Sequence, residues 1–262
     1  MNMLAAGAIG RTIIAKANSK TYLPDILDLK GKVIKYIDCL NDLAVLDRDG
    51  VTITTGQQNT VFLNLIKSAS QEIFIKNVPL SNYQVSERKG IRDNISRVVD
   101  FPHSWILNES NSDVVLFLVF WYDDIQISHL YSASDRTNIE SFEVSQFNST
   151  QQRMLFDEDR TLVDKEIQDF LVYDNTSAFV TPTGKTSVTG NDLKSSYLTL
   201  VKGNFEFVRN VPLILFKNSD TYDRIRLQNI VFDFSNSYID VSSTVAAAVA
   251  GKSYFFNIEY KK

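Results

Sequence analysis

Apolar and polar positions along this chain fall into short runs, each a few residues long and each closed by Asp, Asn, Ser or Gly. Such runs are Lys32–Leu40, Val51–Thr55, Val61–Lys67, Val114–Tyr122, Ser196–Val201, Phe205–Val208, Ile230–Phe234 and Ser253–Tyr260. They are rich in β-branched and aromatic residues, and runs of that length, composition and boundary predict β-strands almost throughout. Within two of them, Leu63 and Leu65 fall on one face and Asn64 on the other, and Leu198 and Leu200 are set against Thr199 in the same way, the pattern of a half-buried sheet. One segment breaks the rule. Over Asp159–Leu171 the residues Leu162, Val163, Ile167, Phe170 and Leu171 nearly follow a helical stripe, so a short helix is predicted there. The longest uncharged apolar run, Val114–Tyr122, is too short for a membrane helix, and a soluble chain is expected.

Matched segments recur at one offset. Phe74-Ile-Lys-Asn-Val-Pro-Leu80 matches Phe207-Val-Arg-Asn-Val-Pro-Leu213, and Asp100-Phe-Pro-His-Ser-Trp-Ile106 matches Asp233-Phe-Ser-Asn-Ser-Tyr-Ile239 with the same separation. With small gaps the match extends to Leu63–Lys67 on Leu198–Lys202, Ile91-Arg92 on Ile225-Arg226, and Phe117–Tyr122 on Phe255–Tyr260, in the same order in both halves. Two identity-rich heptads in one register with collinear flanks establish an internal duplication. Each copy spans about 130 residues, the size of one domain. Strand runs and turn signals at this spacing predict an all-β chain of two tandem jelly-roll (β-sandwich) modules. Pro79 and Pro212 close equivalent strands, because proline cannot donate to a central ladder. Phe101 and Phe234 read as core anchors, and the Asp before each as a turn group.

Composition sharpens this picture. In 262 residues, 44% are hydrophobic and only 10 are Gly and 5 Pro, which excludes a disordered or linker-dominated chain. A net charge of −4 excludes a surface coated by nucleic acid, and no specific nucleic-acid site is expected. The first residues resemble a signal peptide, but Gly7, Gly10 and Arg11 interrupt the apolar run and no basic segment precedes it, so secretion is rejected. Residues 1–20 carry Arg11, Lys16 and Lys20 with no acid before Asp25. The domain reading is therefore an N-terminal arm at 1–20, a first jelly roll at 21–125, a linker and start of the second module at 126–150, and a second jelly roll at 151–262. The arm is suited to an anionic surface and, lying outside the repeat, is expected to add little to either core.

Chemistry is sparse. His103 and His129 form no close pair, and with the single Cys39 they cannot build a four-ligand zinc site, so no metal and no cofactor are expected. Cys39 lies in an apolar strand and reads as a buried thiol. Thr183-Gly-Lys-Thr-Ser187 resembles the end of a phosphate-binding loop, but Phe179 stands where the earlier glycine is required. Asp123-Asp124 and Asp157-Glu-Asp159 with Arg160 read as solvated turns rather than as carboxylates placed across a sugar. The cations Arg88, Lys89, Arg92 and Arg97, with Arg224 and Arg226 at the corresponding place, could face nucleic acid, an acidic neighbour or solvent. No catalytic residue is assigned, and the chain is not read as an enzyme.

On its length, its two modules and its Phe-x-x-Asn-Val-Pro-Leu and Asp-Phe-x-x-Ser-x-Ile repeats, the chain resembles the double jelly-roll major capsid proteins of tailless icosahedral bacteriophages. That resemblance implies a virion structural protein assembled in the host cytoplasm. It further implies three subunits in a pseudo-hexagonal capsomer, contacts with other capsid proteins, and an N-terminal arm on the inner side near an internal membrane. The repeats are more alike than is usual in that family, which a minor capsid or spike role would also accommodate. Two other classes compete. A DNA polymerase sliding clamp requires helices bearing Lys and Arg, and a carbohydrate-binding pair of sandwiches requires exposed aromatics on one face, whereas Trp105 and Trp121 sit in apolar strands.

Overall fold

The computed structural model describes residues 3–40, 54, 60–83, 95–123, 137–145, 148–156, 162, 165–176, 184–217, 225–227 and 230–261. The chain forms two compact units: an N-terminal module of residues 10–45 and 52–129, and a C-terminal module of residues 1–9, 46–51 and 130–262. The strands are β1 (Met3–Ala5), β2 (Gly7–Ala15), β3 (Ser19–Tyr22), β4 (Val33–Leu40), β5 (Val61–Ile66), β6 (Ile73–Pro79), β7 (Arg97–Val98), β8 (Trp105–Asn108), β9 (Val114–Asp123), β10 (Thr137–Ser145), β11 (Arg153–Leu155) and β12 (Glu166–Tyr173). The helix α1 (Gly190–Lys194) follows, then β13 (Ser196–Lys202), β14 (Phe205–Pro212), β15 (Ile225–Leu227), β16 (Asp233–Val241), the helix α2 (Ser243–Val249) and β17 (Ser253–Lys261).

In the N-terminal module the strands β2 to β9, with β2 counted from Gly10, make two sheets in the orders β2-β9-β4-β7 and β3-β8-β5-β6. Taken in chain order these are the first, eighth, third and sixth strands, and the second, seventh, fourth and fifth. That is the strand order of a jelly roll. The C-terminal module repeats it: β10-β17-β12 in one sheet and β11-β16-β13-β14 in the other, with β15, its sixth strand, beside β12. The protein is thus all-β, with two tandem jelly-roll modules related by internal duplication.

The repeat reaches individual hydrogen bonds. Ser104 Oγ donates to the Asp100 carbonyl at 2.6 Å and accepts from the Ile66 amide at 3.0 Å. Ser237 Oγ donates to the Asp233 carbonyl and accepts from the Val201 amide at the same two distances. Asn77 and Asn210 both take the left-handed conformation, φ 51° and 55°, at equivalent ladder irregularities. Their amides are accepted by Asn64 Oδ1 at 2.9 Å and Thr199 Oγ1 at 3.3 Å. Asn tolerates that conformation better than other side chains, which is why both copies keep it. Pro79 and Pro212 end β6 and β14, and each is followed by a one-turn 3-10 helix.

Phe101 and Phe234 are both core residues, 3% and 2% exposed. Phe101 meets Phe120 edge-on at 5.1 Å. Phe234 lies in a cluster of rings with Phe142, Phe156 and Phe232, at 5.8, 6.2 and 4.1 Å, and Phe256 stacks on Phe142 at 4.8 Å.

Two expectations are corrected. Within Asp159–Leu171 the described stretch from Glu166 onward is strand β12, paired with β17, and not a helix. A bulge between Ile167 and Asp169 shifts the register by one residue, so Ile167 and Phe170 face the same side although three apart, which imitates a helical stripe. The segment 1–20 is not an arm outside the fold. β1 runs parallel to β15, Ala8 and Ile9 pair parallel with Val208 and Arg209, and Ala5, Ala8 and Ile9 are fully buried. β3 pairs with β8 and occupies the second-strand place that β11 holds in the other module. The small side chains of Ala5, Ala6 and Ala8 permit this close approach. Of the segment Val51–Thr55 only Thr54 lies among the described residues.

Candidate functional site

The reactive side chains singled out by sequence are placed as follows. Cys39 is fully buried in β4, and burial together with the neighbouring Asp38 carboxylate pushes its thiol up to about 12. It stays protonated and unreactive at neutral pH. Asp38 accepts from Trp121 Nε1 at 2.7 Å, both residues being buried. His103 Nδ1 lies 3.0 Å from the Asp100 carboxylate, which Gln71 Nε2 also contacts at 2.7 Å. Burial opposes ionisation of Asp100, but these two side chains hold its carboxyl below the ordinary range. In the other copy Asn236 and Ser235 hold Asp233 in the same way, at 2.6 and 2.8 Å. The His is one version of a turn clasp. His129, Asp124, Asp157, Glu158, Asp159, Arg160, Phe179, Thr183, Arg88, Lys89, Arg92 and Arg224 lie outside the described residues. Asp123 pairs with Lys35 at 3.5 Å, and Arg97 is exposed on β7.

The Gly184–Ser187 stretch forms no phosphate cradle. Gly184 makes a turn with φ 82°, and Lys185 Nζ is drawn to Glu143 Oε1 at 2.9 Å. Glu143 also accepts from Ser145 and, at 2.6 Å, from Ser253. Its partial burial works against the charge, yet these donors keep the carboxyl below its ordinary value. Ser187 Oγ is buried without a hydrogen-bond partner, and residues 130–262 contain no histidine to activate it. Nearby in sequence, Asp192 closes a capping box with Thr189 and takes Lys252 Nζ at 2.9 Å. Asp174 takes Lys217 Nζ at 2.7 Å and two hydrogen bonds from Thr176. Both carboxylates are saturated by donors, which makes them braces of the module. Among the described residues no group of three His, Cys, Asp or Glu side chains could hold a metal ion.

A different constellation, one that sequence reasoning missed, is present in both copies. In the N-terminal module Lys20 Nζ sits over the Trp105 ring at 3.6 Å from its centroid and over Tyr22 at 5.0 Å. In the C-terminal module the Arg153 guanidinium sits over Tyr238 at 3.7 Å. β3 pairs Tyr22 with Trp105 and Lys20 with Leu107, and β11 pairs Leu155 with Tyr238 and Arg153 with Asp240. A cation stacked on an aromatic ring is thus conserved between the copies as Lys for Arg and Trp for Tyr. The surrounding positions differ. Arg153 makes a two-pronged ion pair with Asp240 at 2.7 and 2.9 Å. Lys20 faces Leu107 instead, and no carboxylate pairs with it among the described residues.

These residues share the outer face of equivalent sheets. Ile106 and Leu63, of the opposite face, are fully buried in one core, as are Ile239 and Leu198 in the other. On the outer face of the C-terminal module Tyr197 is 0%, Thr199 2%, Asp240 5% and Tyr238 8% exposed, while on its edge strand Leu155 is 56% exposed and Arg153 is exposed. In the N-terminal module the edge strand is equally exposed, with Tyr22 56% exposed at the place of Leu155 and Lys20 exposed at the place of Arg153; Trp105, Leu107 and Phe62 are half-buried, and Asn64 is 1% exposed.

No family model and no curated protein matches this chain. Among solved structures it is similar to the viral major capsid protein STIV MCP in its crystal structure, with 11% sequence identity over 97% of this chain and 96% of that one. The TM-score of 0.23 is too low to superpose the folds, so the jelly-roll assignment rests on strand order alone.

Proposed function

We propose that this chain is a viral structural protein, a major capsid protein whose trimers form pseudo-hexagonal capsomers of an icosahedral shell. The observation that carries the reading is the duplication of a complete jelly roll, strand for strand and down to the Ser104 and Ser237 hydrogen bonds. Two similar modules per chain let three chains supply six similar wedges, which tile a hexagonal lattice. The polar clusters favour the same reading, because Asp100, Asp233, Asp174 and Asp192 are each occupied in holding a turn or strand. The clamp reading has less support: α2 carries no Lys or Arg and α1 is five residues long. A sugar-binding platform is also disfavoured, since Lys20 already occupies a ring face of Trp105. Contact of the first twenty residues with an internal membrane has less support, because their cations already have partners within the chain. Arg11 lies 3.8 Å from Asp28, Lys16 pairs with Asp113 at 2.7 Å, and Lys20 stacks on Trp105.

The test is the mass and morphology of the expressed protein. Light scattering should give a trimer or its multiples, and negative-stain microscopy capsomers or closed shells. A strictly monomeric or dimeric mass under every assembly condition would overturn the proposal.

A further inference from the structure

We infer that the outer edge of β6 pairs in parallel with the start of β10 from a second copy of this chain, joining copies head to tail. The pairing that points to it is already made once within the chain. β6 and β14 are the fifth strands of their modules, and each ends its own module's sheet, beside β5 and β13 respectively. β14 is nevertheless not an open edge: Ala8 and Ile9, at the start of β2, run parallel along Val208 and Arg209. From Gly10 onward β2 is the first strand of the N-terminal module. A fifth strand of this fold therefore accepts the start of a first strand.

The chain leaves one strand of each kind open on that side. Among the described residues β6 has a strand beside it only at β5, and β10, the first strand of the C-terminal module, only at β17. Burial follows the difference. Phe74, Ile75 and Val78 are half-buried where Phe207, Val208 and Val211 are buried, and Lys76 is exposed where Arg209 is half-buried; at every matched position β6 is the more open. An edge strand presents amides and carbonyls to solvent, and another strand satisfies them. The repeat names that strand: what β2 is to β14, β10 is to β6. β2 and β10 are both 9 residues long, with Ile9 and Ile139 at the same place in each. Carrying the β14 register across sets Asn138 of one copy beside Ile75 of the other, and Ile139 beside Lys76. Because the two edges differ, the contact is heterologous, and copies add in one direction until a ring closes. The pairing rests on the repeat, whereas closure at three copies rests on the capsid reading above.

The experiment uses the full chain. On the wild type, hydrogen–deuterium exchange is followed by mass spectrometry from dilute to assembled protein, with the mass read by light scattering. Association should slow exchange in β6 and at the start of β10 by about tenfold or more, and leave β14 unchanged because its edge is filled within the chain. Neighbouring strands stand about 4.8 Å apart, a separation that a disulfide spans. Ile75→Cys combined with Asn138→Cys should therefore give, on oxidation, chains linked to one another and closing at the trimer, with Cys39 buried in β4 and outside the reaction. Ile75→Cys combined with Leu27→Cys, an exposed position outside both strands, should not link chains, and Ala8→Cys combined with Val208→Cys should link only within one chain; circular dichroism confirms folding. A monomeric wild type, association with exchange at β6 and β10 unchanged, or oxidation that joins positions 75 and 138 only within one chain would overturn the inference. Trimers or shells in which both strands exchange as in the monomer would remove this pairing and leave the capsid reading standing. Slowed exchange and linked chains in a protein that forms open filaments and no capsomer would do the reverse.

Discussion

Phe101 and Phe234 stand at one position of the repeat and do the same work with different neighbours, one ring against Phe120, the other within a cluster of rings. Truncating either removes a buried ring and leaves a cavity, so Phe101→Ala and Phe234→Ala should each cost about 3–5 kcal/mol in denaturant titration. A near-zero effect at either would mean that the shared residue does not report a shared core. The carboxylates give a second prediction at this scale. Asp100, Glu143 and Asp233 are held below their ordinary range in the folded chain, so their contribution is complete above the unfolded values, near pH 4, and is lost as pH falls through the depressed folded values. Denaturation midpoints should be flat at neutral pH and fall on the acid side, and Glu143→Gln should make that fall shallower. An acid slope identical to wild type would exclude Glu143 from it.

At the scale of elements, β1 and the start of β2 are the least expected part of the structure. Gly7, Gly10 and Arg11 interrupt the apolar run, and the segment has no counterpart in the matched heptads, so it reads as an arm. Parallel pairing with β14 and β15 places it in the C-terminal module instead, with Ile9 buried. Deleting residues 1–9 should therefore lower the melting temperature by about 5 °C or more, because a buried Ile and two ladders are lost. An unchanged transition would return these residues to the status of an arm. β12 makes the complementary point. Its single bulge rephases Ile167 and Phe170, and a sequence period has no means to distinguish that from a helix turn.

The whole molecule is a tandem of two jelly rolls that keep matching interior positions and differ at single positions of the outer face. Interior positions are held by packing in both copies, as at Leu63 and Leu198 or Ile106 and Ile239, all fully buried. The outer face answers instead to whatever covers it, and there the pair Leu107 and Asp240 has changed character. At this scale the assembly prediction applies: a trimer or its multiples in light scattering.

The amino-acid sequence alone determined the all-β class, the duplication and the core anchors. Each depends on residue type repeated at a fixed place: the Asp-Phe-x-x-Ser-x-Ile heptads carry the very serines and phenylalanines that make the repeated hydrogen bonds and cores. Tertiary structure alone decided which strands are neighbours, that residues 3–22 are strand rather than arm, and that Lys20 meets Trp105 as Arg153 meets Tyr238. Ser19–Tyr22 and Gln152–Leu155 share little beyond a cation, so no sequence match links them. Their equivalence lies in pairing with β8 and β16, a contact between residues far apart in the chain. Alternation along a strand tells which side chains share a face, and only the pairing of strands tells what that face meets.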